Sequence, residues 1–459
     1  MAAMAWGIAL AVSCEAPRAE PASVSLRPCP VVLVGVDGLE WSVLAPLLSA
    51  GRLPVMASLT ENGTFGYLES MEPTHSPLIW TSIATGKRPD KHGIYGFTYD
   101  IVGDGRRETH PYTSGHRRTM AFWNILSAYG DRVDLFGWWN TYPAEPITGV
   151  LVSQTNTTGT EDDPTSILKG AMVHGVEGQV HPPEMQQRVM TTLAEVEASM
   201  DEIATAIFGD RVHPASPLAG LLWEQSRWAV RADNTYLRAA QDVLRAGEPL
   251  GVLGIYFGGP DVVGHRFWRY AHPEAYRYPP SQEQVENFGQ VIDDYYVWVD
   301  RAIGELLELA PKDVGVMIVS DHGMEPIHVG HNFHPDDAPV DRNSGGHEGA
   351  PPGVLIVSGG CFRAQPPGGP EIRDLDLSHL PTLGSVLDIT PTLLSLKGIP
   401  LAADMDGVPL GGLLEQAVDG RMVPTHDTPE WLEARTARMR EGAHRGERLE
   451  QLRSLGYIE

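Results

Sequence analysis

Short apolar strands alternate with longer helical patterns along most of this chain of 459 residues. The run VVLVGV, at Val31–Val36, is apolar throughout, as expected of a strand that is covered on both faces. Further strands are predicted over residues 132–138, 250–257, 314–320 and 354–357. The alternation predicts an α/β fold with a largely parallel central sheet, and this feature constrains the fold more than any other in the sequence.

The stretches between these strands differ in how regular they are. Helices are predicted over residues 41–50, 185–207 and 285–306. The last one carries apolar residues at steps of three and four, so one stripe of it faces a core. The predicted organisation is an export signal and tether over 1–28, a main domain over 29–415 with an irregular cap inserted within about 100–250, and a C-terminal helical segment over 416–459.

Composition limits the partners of the chain. It has 34 basic and 59 acidic residues, which gives a formal net charge of −25. Such a charge repels a phosphate backbone, so we do not expect nucleic acid as a main partner. The hydrophobic content of 42% is typical of a globular protein with a sizeable core.

The first residues, MAAMAWGIALAVSC, contain an apolar stretch that is too short to span a bilayer. It is placed where the apolar part of an export signal belongs, and Cys14 follows small residues in the manner of a lipid-acceptor cysteine. We therefore expect an exported protein, periplasmic or on the cell surface, which a lipidated Cys14 could attach to a membrane. A wrongly chosen start codon is the alternative. Cys29 and Cys361 could form a disulfide in that compartment, or both could be buried free thiols.

Side chains that can bind metals flank four of the predicted strands. They are Asp37, Asp261, His265, Asp321, His322 and His347. In parallel sheets ligands collect at the carboxyl ends of the strands, so the residues that follow their strands should share one rim. His347 precedes its strand, so a loop would have to bring it back. Gly323 would permit the tight turn that lets Asp321 and His322 bind one ion.

The chemistry of these six residues favours metal ions. Carboxylate oxygen and imidazole nitrogen both suit zinc, and six ligands are more than one catalytic zinc uses, so they suggest two metals. Each motif alone has an ordinary structural explanation, because an Asp-Gly pair after a strand is usually a turn and a buried histidine is usually a core residue. Their joint occurrence at strand ends favours metal binding.

Several motifs between Val31 and Tyr457 resemble those of one enzyme superfamily. They are GVDGLEW, PTHSPLIWTSIATGKRPDKHGI, PDVVGH, SDHGM, GGHEGAPPGVLIVSG, SVLDITPTLLSLKGIP, DMDG and LRSLGY. The chain resembles the alkaline phosphatase superfamily, in particular its type I phosphodiesterase/nucleotide pyrophosphatase branch and bacterial relatives described as phosphohydrolases or phosphomutases. The resemblance implies an alkaline-phosphatase-like α/β/α sandwich.

The resemblance also implies roles for single residues. Asp37, Asp321 and His322 would bind one metal, and Asp261, His265 and His347 would bind the other, with zinc the first choice and manganese the second. Ser76 would be the nucleophile, activated by coordination to a metal. Ser76 could instead be only the N-cap of a helix that continues through Pro77. Many family members carry an asparagine three residues after the nucleophile, whereas this chain has Ile79.

The expected function is a two-metal phosphohydrolase of the phosphodiesterase/nucleotide pyrophosphatase type that acts on a small phosphorylated substrate through a phosphoserine at Ser76. A metal-dependent phosphomutase is the alternative enzyme, and a non-catalytic surface lipoprotein is the alternative of another class. The natural substrate and the oligomeric state stay open.

Overall fold

The computed structural model describes residues 29–103, 106–157, 169–209, 211, 216–327, 343–364 and 375–438. The predicted export signal with Cys14 lies outside these residues, and so does the C-terminal segment beyond residue 438. The proposed domain boundaries therefore stay predictions.

The strands that the structure describes are mostly short. They are β1 (Val31–Val36), β2 (Gly63–Glu69), β3 (Thr98–Gly103), β4 (Arg106–Pro111), β5 (Val133–Phe136), β6 (Leu151–Val152), β7 (Asn156–Thr157), β8 (Lys169–Gly170), β9 (Val180–His181), β10 (Val252–Phe257), β11 (Gly315–Val319), β12 (Glu325–Pro326), β13 (Gly345–Gly346), β14 (Gly353–Ser358), β15 (Thr382–Ser385), β16 (Leu401–Ala402) and β17 (Met422–Val423). Within the described residues, nine strands form the central sheet in the order β15-β2-β14-β11-β1-β10-β5-β6-β9. Most of its neighbouring pairs are parallel, but β14 runs antiparallel to both β11 and β2, and β9 runs antiparallel to β6.

Helices cover both faces of this sheet. They are α1 (Trp41–Ser49), α2 (Pro54–Glu61), α3 (Ser76–Thr85), α4 (Pro89–His92), α5 (Phe122–Ala128), α6 (Gln186–Ala198), α7 (Met200–Phe208), α8 (Pro217–Arg245), α9 (Gly259–Ala271), α10 (Gln282–Phe288), α11 (Val291–Leu309), α12 (Ile389–Leu396) and α13 (429–438). Alternate residues of β1 pack into different cores, Val32 with α8, α9 and α11 on one face and Leu33 with α3, α5 and α12 on the other. The predicted α/β fold is thus confirmed, with three layers.

The observed elements agree with most of the predicted ones, and two helices differ. The predicted helix over 285–306 is wrong as a single element, because α10 ends before Gly289 and α11 begins at Val291. The predicted helix over 185–207 likewise divides into α6 and α7 at Ser199, whose hydroxyl donates to the carbonyl of Glu195 at 2.9 Å. In both places apolar residues keep the three- and four-residue spacing of a helix across the break. This spacing therefore does not reveal that the helix is interrupted.

Residues within the predicted cap region also contribute to the main sheet. Strands β5, β6 and β9 extend it beyond β10, and α8 packs on β5 and β10. Strands β3 and β4 form a separate antiparallel pair. Part of the irregular region is therefore continuous with the central fold.

Cys29 and Cys361 form a disulfide, which decides between the two alternatives left open by the sequence. It joins the residue two positions before β1 to the residue three positions after β14. Among the described residues, no single helix is long and apolar enough to cross a membrane, and the sharply bent pair α1 and α2 meets that test by length and composition only.

Candidate metal centre

The three central strands of the sheet bring the candidate ligands to one rim. Strand β1 lies between β11 and β10 and is parallel to both. Asp37 directly follows β1, and its amide donates to the carbonyl of Phe257 at the end of β10. Asp321 follows β11 by two positions. The expectation that residues after parallel strands meet at one edge is therefore correct in geometry.

Asp37 has one carboxylate oxygen engaged and one free. Its Oδ2 accepts from the hydroxyl of Tyr256 at 2.5 Å and from the indole Nε1 of Trp80 at 3.0 Å. Its Oδ1 is buried and has no hydrogen-bond partner. Gly38 follows with a φ of 66°, and a Cβ there would lie 3.1 Å from the Cα of Asp261. Asp37 can thus offer a cation one oxygen, and the glycine lets the second aspartate approach.

His322 lies between two carboxylates. Its Nε2 is 3.2 Å from Oδ2 of Asp321 and 3.4 Å from Oδ1 of Asp37. Its Nδ1 donates to the carbonyl of Gly323 at 3.0 Å, so in the neutral ring Nε2 carries the lone pair and points at the acids. Nε2 and Oδ2 of Asp321 are both buried without a hydrogen-bond partner.

The expected role of Gly323 as a turn residue is wrong. Gly323 is not among the glycines with positive φ. A Cβ at this position would instead collide with the carboxylate of Glu40, which accepts from the amide of Met324 at 3.3 Å. The buried Glu40 also caps the start of α1, since its Oε1 accepts from the amide of Ser42. Glu40 therefore connects the loop after β1 to the loop after β11.

Asp261 and His265 lie one turn apart at the start of α9. Oδ1 of Asp261 is 3.2 Å from Nε2 of His265, and Nδ1 of His265 donates to the carbonyl of Gly345 at 2.7 Å. Burial alone would lower the pKa of His265, but the carboxylate of Asp261 raises it overall. The side chains of α9 thus form a pair that presents one oxygen and one nitrogen at the rim.

A buried acid on α8 holds the beginning of α9. Asp233 accepts from the amides of Gly258 and Gly259 at 3.0 and 2.9 Å and from the hydroxyl of Tyr295 at 2.9 Å. These are amides that a helix N-terminus leaves without partners. Burial raises the pKa of Asp233 to about 7 despite the three donors. Asp233 therefore fixes the position of the helix that carries Asp261.

His347 reaches the rim because its strand is antiparallel. Strand β14 begins at the edge where β11 ends, since Leu355 pairs with Val319 and Ser358 with Val316. The expectation that a loop would have to bring His347 back is therefore wrong. Its ring lies 4.1 Å from that of His322 and 5.1 Å from that of His265, centroid to centroid.

Thr74 fixes the tautomer of His347 and links it to α3. The hydroxyl of Thr74 donates to the carbonyl of His347 at 2.7 Å, and Nδ1 of His347 lies 3.2 Å from the same oxygen. Because the hydroxyl proton is already used, Nδ1 must be the donor in this second contact. Nε2 of His347 then keeps its lone pair for a ligand.

Ser76 is the first residue of α3, and His75 is its N-cap. The interpretation of Ser76 as the cap is therefore not supported by the helix boundary. Trp80, one turn further along, makes the hydrogen bond to Asp37 described above. Ile79 is fully buried in the apolar core, so the position that carries asparagine in many family members faces away from solvent here.

Two groups of these side chains have the spacing that a metal ion needs. Asp37, Asp261 and His322 form one group and Asp261, His265 and His347 the other, each with ligand atoms within 4.8 Å of one another. Burial and the neighbouring Asp261 raise the pKa of Asp37, and burial together with Asp37 raises that of Asp321. Buried acids that repel each other, with free oxygens facing a histidine nitrogen, fit a bound cation.

Several side chains that shape the centre gave no recognisable signal in the sequence. They are Glu40, Thr74, Trp80, Asp233 and Tyr256. Trp80 and Tyr256 read as ordinary core residues of a helix and a strand. The polar hydroxyl of Tyr256 near the end of an otherwise apolar strand is the one hint that its side chain has a partner there.

The three-layer α/β arrangement around a nine-stranded, mostly parallel sheet is that of an alkaline-phosphatase-like fold. The sequence model of the family described as type I phosphodiesterase / nucleotide pyrophosphatase matches residues 31–368. The chain belongs to this family, which is part of the alkaline phosphatase superfamily. The family is metal-dependent, and membership supports phosphoester hydrolase activity on small phosphorylated substrates such as nucleotides.

Proposed function

We propose that this chain is a two-metal hydrolase that cleaves phosphate esters through a covalent intermediate on Ser76. One observation carries the assignment of the serine. Ser76 lies two residues after Thr74, which hydrogen-bonds His347, and four residues before Trp80, which hydrogen-bonds Asp37. Its backbone is thus tied on both sides to the candidate ligands, one from each metal group.

The ligands divide into two sets. Asp37, Asp321 and His322 would hold one ion, and Asp261, His265 and His347 would hold the other. Mixed oxygen and nitrogen ligands favour zinc, with manganese as the second choice. When bound, such ions would stabilise negative charge on phosphoryl oxygens and favour the alkoxide form of a nearby hydroxyl.

The residues of the chain would bind and transfer the phosphoryl group in two steps. Oγ of Ser76 attacks phosphorus, the Oγ–P bond forms, and the bond to the leaving alcohol breaks. Water then attacks the phosphoserine, the Oγ–P bond breaks, and Ser76 is restored. The positive end of the α3 dipole favours negative charge at the attacking oxygen throughout.

The reaction is tested with full-length, zinc-loaded protein and two chromogenic substrates, a phosphate diester and a phosphate monoester. We expect turnover that disappears after metal removal and returns with zinc, and the preferred ester identifies the substrate class. Product analysis in ¹⁸O-labelled water distinguishes the alternatives, because hydrolysis puts solvent oxygen into the released phosphate and a phosphomutase does not. A folded, metal-loaded protein that is inactive on both esters would contradict the proposal and favour the non-catalytic alternative.

We also propose that the protein is exported and anchored through Cys14. The disulfide between Cys29 and Cys361 supports this, because such bonds persist in oxidising compartments. Mass spectrometry of the mature N-terminus tests it. A chain that begins at a diacylated Cys14 is expected, and a retained Met1 would rule the proposal out.

A further inference from the structure

A cluster of basic side chains lies apart from the candidate metal centre. The arginine cluster consists of Arg117, Arg118, Arg435 and Arg438, where the last two are on α13. The backbone amide of Arg118 donates to the carbonyl of His92 at the end of α4. Because α4 follows α3 in the chain, this contact places the cluster beyond the C-terminal end of α3. Ser76 begins the same helix at its other end, so the two sites are distinct.

The cluster is packed around two tryptophans. The guanidinium of Arg117 lies 4.9 Å from the ring centroid of Trp123 and 5.7 Å from that of Trp431. Arg438 lies 5.6 Å from the same Trp431 ring. Trp431, Arg435 and Arg438 are spaced four and three residues apart, so they share one face of α13. The guanidinium groups of Arg117 and Arg438 thus both lie within 6 Å of the centre of one indole ring.

Within the described residues, the positive charge in this cluster exceeds the negative charge that neutralises it. Glu145 is buried and contacts Arg117 at 2.6 Å and Arg438 at 3.1 Å. Asp427 accepts from the hydroxyl of Thr119 and pairs with Lys87, which also pairs with Asp404. One carboxylate therefore serves two buried guanidinium groups, while Arg435 and Arg118 add further positive charge in a protein whose net charge is −25.

Five buried nitrogen donors in the cluster lack a hydrogen-bond acceptor. Among the described residues, they are Nη1 of Arg117, Nε of Arg435, Nε and Nη2 of Arg438 and Nε1 of Trp431. Nη2 of Arg438 lies 3.1 Å from Oε1 of Glu145 without forming a hydrogen bond to it. Arg117 is only 1% exposed and Arg438 is 9% exposed. Every one of these atoms can donate and cannot accept, so water alone suits them less well than an anion does.

We propose that the arginine cluster is a binding site for an oxyanion of the size of phosphate. Arginine donors in fixed, desolvated positions bind tetrahedral oxyanions through charge-assisted hydrogen bonds, and Trp431 adds a further donor. The site goes beyond the proposed hydrolysis, because it uses no residue of the metal centre. An anion bound here would join α13 to the segment that follows α4 and so would attach the C-terminal helix to the main domain.

The test uses inorganic phosphate as the probe and the full-length protein, both zinc-loaded and metal-stripped. Phosphate binding is measured by calorimetry and by the rise in melting temperature at constant ionic strength with chloride as the reference salt. We expect saturable binding that persists without metal, because a phosphate held only by the metal centre would be lost on stripping. In Arg435→Gln the association constant for phosphate should fall at least about tenfold.

Arg435→Gln separates a binding role from a structural one. The substitution removes repulsion between like charges, so without phosphate its melting temperature should equal or exceed that of the wild type. Its ester hydrolysis should be unchanged.

Arg227→Gln is the matched control, since it removes one exposed arginine from α8 and should leave phosphate binding unaltered. Equal phosphate affinity in wild type and Arg435→Gln, or binding that vanishes with the metals, would overturn the proposal. The proposal would also be overturned if Arg435→Gln melted at a lower temperature than the wild type in the absence of phosphate.

Discussion

Replacing Ser76 by alanine is expected to lower kcat/KM for the preferred phosphate ester by at least about a thousandfold, because removal of a nucleophile leaves only the binding and electrostatic contributions to catalysis. Metal content should stay that of the wild type, since Ser76→Ala removes neither a carboxylate nor an imidazole. The melting temperature should also change little, because the N-cap of α3 is His75 and Ser76 is its first helical residue. The loss would therefore lie in the chemical step.

Ser58→Ala is the matched control for this experiment. Ser58 is exposed on α2, away from the rim, so its substitution should leave both activity and metal content unchanged. Rapid quenching of the wild type during turnover of an ester labelled at phosphorus should also trap the labelled phosphoryl group on Ser76. The Ser76→Ala variant should carry no such label. If the variant keeps more than about a tenth of the wild-type activity, the nucleophile is another group and the assignment fails.

The candidate centre could be predicted from sequence as far as it depends on strand ends. Asp37, Asp261 and Asp321 each follow an apolar run, and the carboxyl ends of neighbouring parallel strands must meet. His347 was harder, because its position depends on the direction of β14, and a pattern of apolar residues is the same whether a strand runs parallel or antiparallel. Motif resemblance singled out His347 as a candidate ligand, whereas the expected route by which it reaches the rim is wrong.

The contacts that support the centre could not be predicted, because they join residues far apart in the chain. Tyr256 bonds to Asp37, which is 219 positions away, and Met324 bonds to Glu40, which is 284 positions away. Such pairs depend on the order of strands in the sheet, and no local pattern encodes that order. Gly323 illustrates the difference, since its need for a small side chain comes from Glu40 and not from its own backbone.

Asp261, which the proposal assigns to the second ion, also lies within reach of the first, so we expect its loss to affect both metals. It belongs to both of the side-chain groups that have metal-binding spacing, whereas Asp37 and His322 belong only to the first, and His265 only to the second. In Asp261→Asn we therefore expect less than one bound zinc per chain after exhaustive dialysis. His265→Gln should retain about one zinc, because the first group stays complete. Elemental analysis of the purified chains measures this directly.

The activities should rank in the same way. Each ion, when bound, would supply several kcal/mol of charge stabilisation in the transition state, so we expect Asp261→Asn to lose at least about a thousandfold in kcat/KM. Asp300→Asn controls for the loss of a buried aspartate, because Asp300 accepts from the amides of Val55 and Met56 at the start of α2 and belongs to neither group. It should lower stability and leave the zinc content at that of the wild type. Should Asp261→Asn and His265→Gln retain equal zinc, Asp261 binds only the second ion, and the position of Asp261 between the two groups has no consequence for the first.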